Sequence, residues 1–125
     1  MVFNVLVSNT DDHLRNHAFM RERKGWWLAP AYDLNPVPID VRPRVHALAL
    51  DAAGDQEASI VTTTASAAAF GLSRADARAI SREVATATAK WRIAAKKQGL
   101  SPRQIERMES AFEHEDLARA KTGRT

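Results

Sequence analysis

Three oxygen-bearing side chains, Asp11, Asn16 and Asp33, constrain this chain more than any apolar run does. Asp11 and Asn16 share the stretch Asn9-Thr-Asp-Asp-His-Leu-Arg-Asn16, with His13 between them. Asp33 comes seventeen residues after Asn16, behind the pair Trp26-Trp27 and Pro30. For the three to meet, the intervening chain must double back. Residues 17–29 read as a hairpin that does this. His17-Ala-Phe-Met20 is one arm, Arg21 to Gly25 the turn, and Trp26-Trp-Leu28 the other arm. Gly25 supplies the permissive backbone that such turns use. Phe19 and one of the tryptophans are expected to pack inward.

Acid and amide on one loop, with a second acid returning from a hairpin, can hold Mg²⁺ against a nucleotide's phosphates. Phosphoryl transfer asks a protein mainly for positioning and charge neutralisation. One carboxylate faces the attacking hydroxyl, while an amide oxygen and a second carboxylate take the metal. A D-x-x-x-x-N loop followed by a metal-binding Asp supplies these groups in protein kinases. Asp11 to Asn16 has that spacing, and Asp33 can be the second acid. Blander readings compete. Asp11-Asp12 after Asn9-Thr10 could be turn or cap chemistry. His13 and His17, four apart, could share a helix face as zinc ligands, but they lack the H-E-x-x-H acid and a third ligand. His13, Asn16 and His17 lie too close in sequence for an H-N-H nuclease finger.

Two stretches together resemble a known family. They are Phe3-Asn4-x-Leu6-x-x-Asn9-Thr10-Asp11-Asp12-His13-x-x-Asn16-x-x-Phe19 and Trp27-Leu28-Ala29-Pro30-Ala31-Tyr32-Asp33. The pattern resembles the C-terminal catalytic segment of HipA-family serine/threonine kinases, the toxin halves of bacterial type II toxin–antitoxin modules. The resemblance covers about Val2 to Pro36. It implies Asp11 as catalytic base and Asn16 and Asp33 as Mg²⁺ ligands, with ATP and Mg²⁺ as cofactors. His13 looks like the residue that phosphoinositide-kinase-like enzymes place near the transferred phosphate, a catalytic and nucleotide-binding role. Asp12, Arg15 and Tyr32 belong to the motif without an assigned task. The implied fold is mainly α, the C-lobe portion of a protein kinase, with a small hairpin near the metal site. The implied partners are a protein substrate with Ser or Thr and a HipB-like helix-turn-helix antitoxin. The family's ATP-binding lobe and phosphate loop would precede Met1. A missing N-terminal half is therefore expected, and these residues alone are expected to bind Mg²⁺–ATP weakly at best and to transfer no phosphate. The alternative is a non-catalytic remnant or split subunit acting as a binding module.

The 125 residues suffice for one domain. There is no cysteine, so neither a disulfide framework nor a thiolate metal site exists. No apolar run spans a membrane and no secretory signal is visible, so a cytoplasmic protein is expected. The net charge of +3 comes with dispersed Lys and Arg, and direct nucleic-acid binding is not expected.

Residues 2–8, Val-Phe-Asn-Val-Leu-Val-Ser, favour a strand by propensity, whereas the resemblance implies the last turns of a helix. Residues 34–46, with three of the five prolines, read as an irregular extended stretch where kinases place an activation segment. A short strand over 46–50 and a turn over 51–54 follow. The remainder, 60–120, reads as helical. One helix spans Thr62 to Phe70 and stops at Gly71. A second is capped by Ser73, with Asp76 in its first turn, and runs to Gln98 before Gly99. Ile80, Val84, Ala87, Trp91 and Ala94 or Ala95 are its expected buried stripe. Arg74, Arg78 and Arg82 form a separate, solvated face. Ser101-Pro-Arg-Gln104 is a capping box that opens a last helix. Ile105, Met108, Ala111 and Phe112 face inward from it. His114 extends or caps that helix, and the tail frays from Lys121.

Overall fold

A computed structural model describes residues 1–124. The chain is mainly helical, with one two-stranded antiparallel hairpin. Helix α1 spans Val2–Leu6, against the strand propensity of its Val and Phe residues. A five-residue helix has no independent stability, so packing decides. Val5 and Leu6 are fully buried in the core, where complete burial of each contributes roughly 1.5–3 kcal/mol. They pack there with Leu50, Ile60, Ala85, Leu117 and Ala120.

Helix α1 ends in a Schellman-type turn. The Asn9 N–H donates to the Asn4 carbonyl at 2.8 Å and the Ser8 N–H to that of Val5 at 3.3 Å. Ser8 takes the left-handed position usually given to glycine, at φ 53°. Its hydroxyl donates to the Ala111 carbonyl at 3.1 Å, which ties the strained turn to the C-terminal helices. The chain thus leaves the core and enters the polar loop at Asp11.

The hairpin pairs β1 (Phe19–Glu22) with β2 (Gly25–Leu28), Glu22 opposite Gly25 and Phe19 opposite Leu28. The turn is therefore only Arg23-Lys24, shorter than expected. Phe19 and both tryptophans do not pack inward. Both strands are exposed along their whole length, because no element among the described residues covers either face. Residues 34–46 are irregular, as their prolines require. The expected strand at 46–50 is not formed. A single bridge joins Val45 to Glu57, and the His46 and Leu50 N–H groups reach the Gln56 and Asp55 carbonyls.

Helix α2 runs Ile60–Ala65, capped by Ser59, and continues as a 3₁₀ segment to Phe70 before Gly71 at φ 69°. Helix α3 (Arg74–Thr88) opens with a full Ser73–Asp76 capping box. It ends at Thr88 with Ala89 as its C-cap, ten residues short of the expected end at Gln98, and α4 (Trp91–Lys97) restarts after a tight turn. The break lets Trp91 stack on Phe112, with centroids 4.4 Å apart, and lets Arg92 pair with Glu109 and Glu113. It also moves the buried face. Ala77, Ser81, Ala85 and Thr88 point inward, whereas Ile80, Ala87 and Ala94 are exposed. Of the expected stripe, Trp91 is buried and Val84 is half-buried against the core, and together with exposed Ala87 they also line an open apolar groove of about 680 Å³.

Helix α5 (Pro102–Arg107) has the expected Ser101–Gln104 box. The expected last helix is divided among α5, α6 (Glu109–Phe112) and α7 (Glu115–Thr122). His114 is the N-cap of α7, which packs on α3. Lys121 and Thr122 are helical rather than frayed; Thr125 lies outside the described residues.

Candidate functional site

The polar loop is built on a buried network. Every residue from Asn4 to Thr10 is buried, and so is Asp12. The Asp12 carboxylate accepts from Asn4 Nδ2 at 2.6 Å and pairs with His17 Nε2 at 2.8 Å. Asn9 Nδ2 donates to Asn4 Oδ1 at 3.1 Å. Asp12 and Asp11 therefore divide the work of an otherwise ambiguous acid pair. Asp12 faces in and anchors, and Asp11 faces out. His17 spends Nε2 on that anchor.

The loop then closes on itself. A 3₁₀ turn spans Leu14–Asn16, with His13 at its N-cap and the Asn16 N–H donating to the His13 carbonyl at 2.8 Å. Asn16 Nδ2 donates to the Asp11 carbonyl at 3.3 Å. The Asn16 amide oxygen accepts no hydrogen bond among the described residues. Half-buried His13 holds its Nδ1 away from solvent with no protein partner.

Asp33 returns to this loop by three ties. The Ala29 N–H donates to the Ala18 carbonyl at 2.8 Å, extending the hairpin. The Tyr32 hydroxyl donates to the Arg15 carbonyl at 2.6 Å. Asn9 Nδ2 lies 3.5 Å from the Asp33 carbonyl oxygen. Tyr32 thus acquires a role that its spacing did not reveal. Asp33 is exposed and sits at φ 56°, one of two non-glycine residues with positive φ among the described residues. Such residues are uncommon and concentrate where the surroundings impose a geometry. One carboxylate oxygen accepts from Asn35 Nδ2 at 2.6 Å, and the other accepts no hydrogen bond among the described residues. The structure ties the Asn16 side chain to the Asp11 backbone carbonyl and brings Asp33 to the same loop through its own backbone carbonyl. The side chains of Asn16 and Asp33 are not hydrogen-bonded to each other.

The donor set suits Mg²⁺, which prefers hard oxygen ligands and keeps several waters. Among the described residues the Asn16 amide oxygen and one Asp33 carboxylate oxygen accept no hydrogen bond, and Asp33 is exposed. Zn²⁺ sites take at least three protein ligands and are built mainly from His nitrogen and Cys sulfur, which this pair of oxygens does not supply. Among the described residues no group of three or more His, Cys, Asp or Glu converges.

Sequence reasoning missed the basic residues around the loop. Arg42 places Nη1 3.3 Å from an Asp11 carboxylate oxygen. Arg44 pairs with Asp116 at 2.6 Å and donates to the Val5 carbonyl at 2.8 Å. Asp116 also accepts from the Ile60 N–H at 2.8 Å, so one carboxylate ties the irregular segment, α2 and α7 together. These partners are remote in sequence, and neither charge belongs to a local motif. Nearby, burial and the Arg44 charge push the His114 imidazole down to about 4. Burial also lowers His46.

The model of the HipA-like C-terminal domain family matches residues 1–91. That match extends past the polar loop and hairpin, through α2 and α3 to Trp91. No curated protein and no solved structure matches the chain. No described helix is long and apolar enough to cross a membrane. With nearly three quarters of its length matched, the chain belongs to the HipA-like C-terminal domain family.

Proposed function

We propose that this domain is the catalytic segment of a HipA-like serine/threonine kinase, the toxin of a toxin–antitoxin module, built on a kinase C-lobe. The observation that carries the reading is the division of the Asn16 amide. Its NH₂ is spent on the Asp11 carbonyl, so its oxygen is left for a cation beside an outward-facing acid. Asp11 takes the proton of the substrate's Ser or Thr hydroxyl onto its carboxylate as that oxygen attacks. Asn16 and Asp33 hold Mg²⁺, which neutralises charge on the nucleotide's phosphates when bound. His13 lies between base and amide and faces the transferred phosphate. Asp12 acts only through the loop it anchors.

These residues supply base and metal ligands. The five glycines stand singly, at 25, 54, 71, 99 and 123, so no glycine-rich phosphate loop is among them. Catalysis by positioning needs the β- and γ-phosphates held, and these residues show no loop of that kind. The 125 residues by themselves therefore bind Mg²⁺–ATP weakly and do not turn it over. Calorimetry of Mg²⁺–ATP with the wild-type chain and Asp33→Asn tests this. Weak binding by the wild type, eliminated in Asp33→Asn, is the expected result. A folded wild-type chain that behaves like Asp33→Asn would overturn the assignment.

A further inference from the structure

The outward-facing Asp11 carboxylate has a single partner among the described residues, the Arg42 guanidinium at 3.3 Å. Both side chains are open to solvent, 60% exposed for Asp11 and 48% for Arg42. An exposed ion pair between two free side chains fixes little, because each samples many rotamers. Arg42 is not presented freely. Its backbone lies in a turn in which the Pro38 carbonyl accepts from the Val41 and Arg42 N–H groups, at 2.9 and 3.3 Å. On one side of it, Asp40 receives both carboxylate contacts of Arg107 at 2.9 and 3.0 Å, and the Ile39 N–H reaches Ser110 Oγ at 3.3 Å. On the other side, Arg44 is locked to Asp116 and the Val5 carbonyl. The segment around Arg42 is thus strapped at both ends to α1 and α5–α7. Much of this anchorage lies in residues 102–122, beyond the family match.

We infer that Arg42 is a positioning residue for Asp11, held by the Asp40–Arg107 and Arg44–Asp116 anchors so that the base's carboxylate keeps one orientation toward the acceptor hydroxyl. The inference rests on Asp11 being the base. A general base must lie within hydrogen-bond reach of the proton it takes, and a base free to rotate spends little time there. Arg42 makes no hydrogen bond to Asn16 or Asp33, so its effect falls on the base and not on the metal ligands. The C-terminal helices then have a task in the site although they contribute no residue to it.

The test is NMR of Asp11. Its Hα–Hβ couplings report whether the side chain keeps one rotamer. A single rotamer is expected in the wild type, averaged couplings in Arg42→Ala, and recovery in Arg42→Lys. Arg107→Ala, which touches neither Asp11 nor Arg42, is expected to average the Asp11 couplings partly and to add nothing in an Arg42→Ala background. Mg²⁺–ATP affinity in Arg42→Ala is expected to stay within about twofold of the wild type, the scatter allowed for a site not directly touched. Averaged Asp11 couplings in the wild type, or couplings unmoved by Arg42→Ala, would overturn the inference. So would loss of nucleotide binding in Arg42→Ala, which would make Arg42 a nucleotide ligand. The couplings need no nucleotide. A held Asp11 in a chain that binds no Mg²⁺–ATP removes the kinase reading and leaves only the Arg42–Asp11 positioning, whereas a mobile Asp11 in a chain that binds it removes only this inference.

Discussion

Adjacent acids with opposite environments give the sharpest residue-scale contrast. Asp12 is buried and satisfies Asn4 and His17. Removing such an acceptor leaves the buried Asn4 amide donor unpaired, at a cost of about 1–3 kcal/mol. Asp12→Ala is therefore expected to lower unfolding free energy by about that amount in urea titrations. Asp11→Ala, which loses one exposed ion pair, should stay within about 1 kcal/mol of the wild type. Equal losses would show that the two acids are not divided as described. Asp33 offers a second contrast. At φ 56° it occupies backbone space that glycine enters freely. Asp33→Gly is expected to be as stable as the wild type, or more stable by up to about 1 kcal/mol, while losing metal binding. A marked loss of stability would mean that the Asp33 carboxylate is structural. The order of Asp11, Asn16 and Asp33 was legible from spacing. The division between Asp11 and Asp12 was not, because nothing in the sequence says which acid of a pair turns inward.

At the scale of elements, local chemistry was readable and long-range chemistry was not. Ser73 with Asp76 and Ser101 with Gln104 declared their helix starts within four residues, and both capping boxes formed. Helix α1 opposed its own propensity, because burial of Val5 and Leu6 outweighs a β-branched preference of tenths of a kcal/mol. The break at Ala89 had no Gly or Pro to announce it. It serves the Trp91–Phe112 stack, whose partner lies far along the chain. Arg44 and Asp116 were equally silent. Removing one member of a mostly buried pair costs about 3–5 kcal/mol. Asp116→Ala, which also strands the Ile60 N–H, is expected near that range by chemical denaturation. Asp40→Ala, which removes an exposed partner of Arg107, should cost no more than about 1 kcal/mol. A ranking in the opposite order would contradict the anchoring scheme.

Across the whole molecule, the Arg44 neighbourhood also sets the response to acid. Folding holds His114 down at about 4, against 6.5 for the free imidazole. Between these values the unfolded chain binds a proton that the folded chain refuses, so protonation favours unfolding. Stability is fully present above about pH 6.5 and drains away as pH falls toward 4, with His46 lowered in the same sense. Urea midpoints measured from pH 7.5 to 4.5 should fall on acidification, and His114→Gln should flatten that fall. An unchanged slope in His114→Gln would assign the acid sensitivity elsewhere.

The molecule's architecture also separates scaffold from site. Helices α1, α2, α3 and α7 form the core, and the hairpin stands out from it with Phe19, Trp26, Trp27 and Leu28 exposed. The most direct test of the central claim uses Mn²⁺ in place of Mg²⁺, read by NMR line broadening across the chain. The expected result is broadening centred on Asn16 and Asp33, weaker at the acidic turn of Asp51 and Asp55, and lost in Asp33→Asn. Broadening that centres on Asp51 and Asp55, or that survives Asp33→Asn unchanged, would contradict the metal-holding role on which the phosphoryl-transfer reading rests.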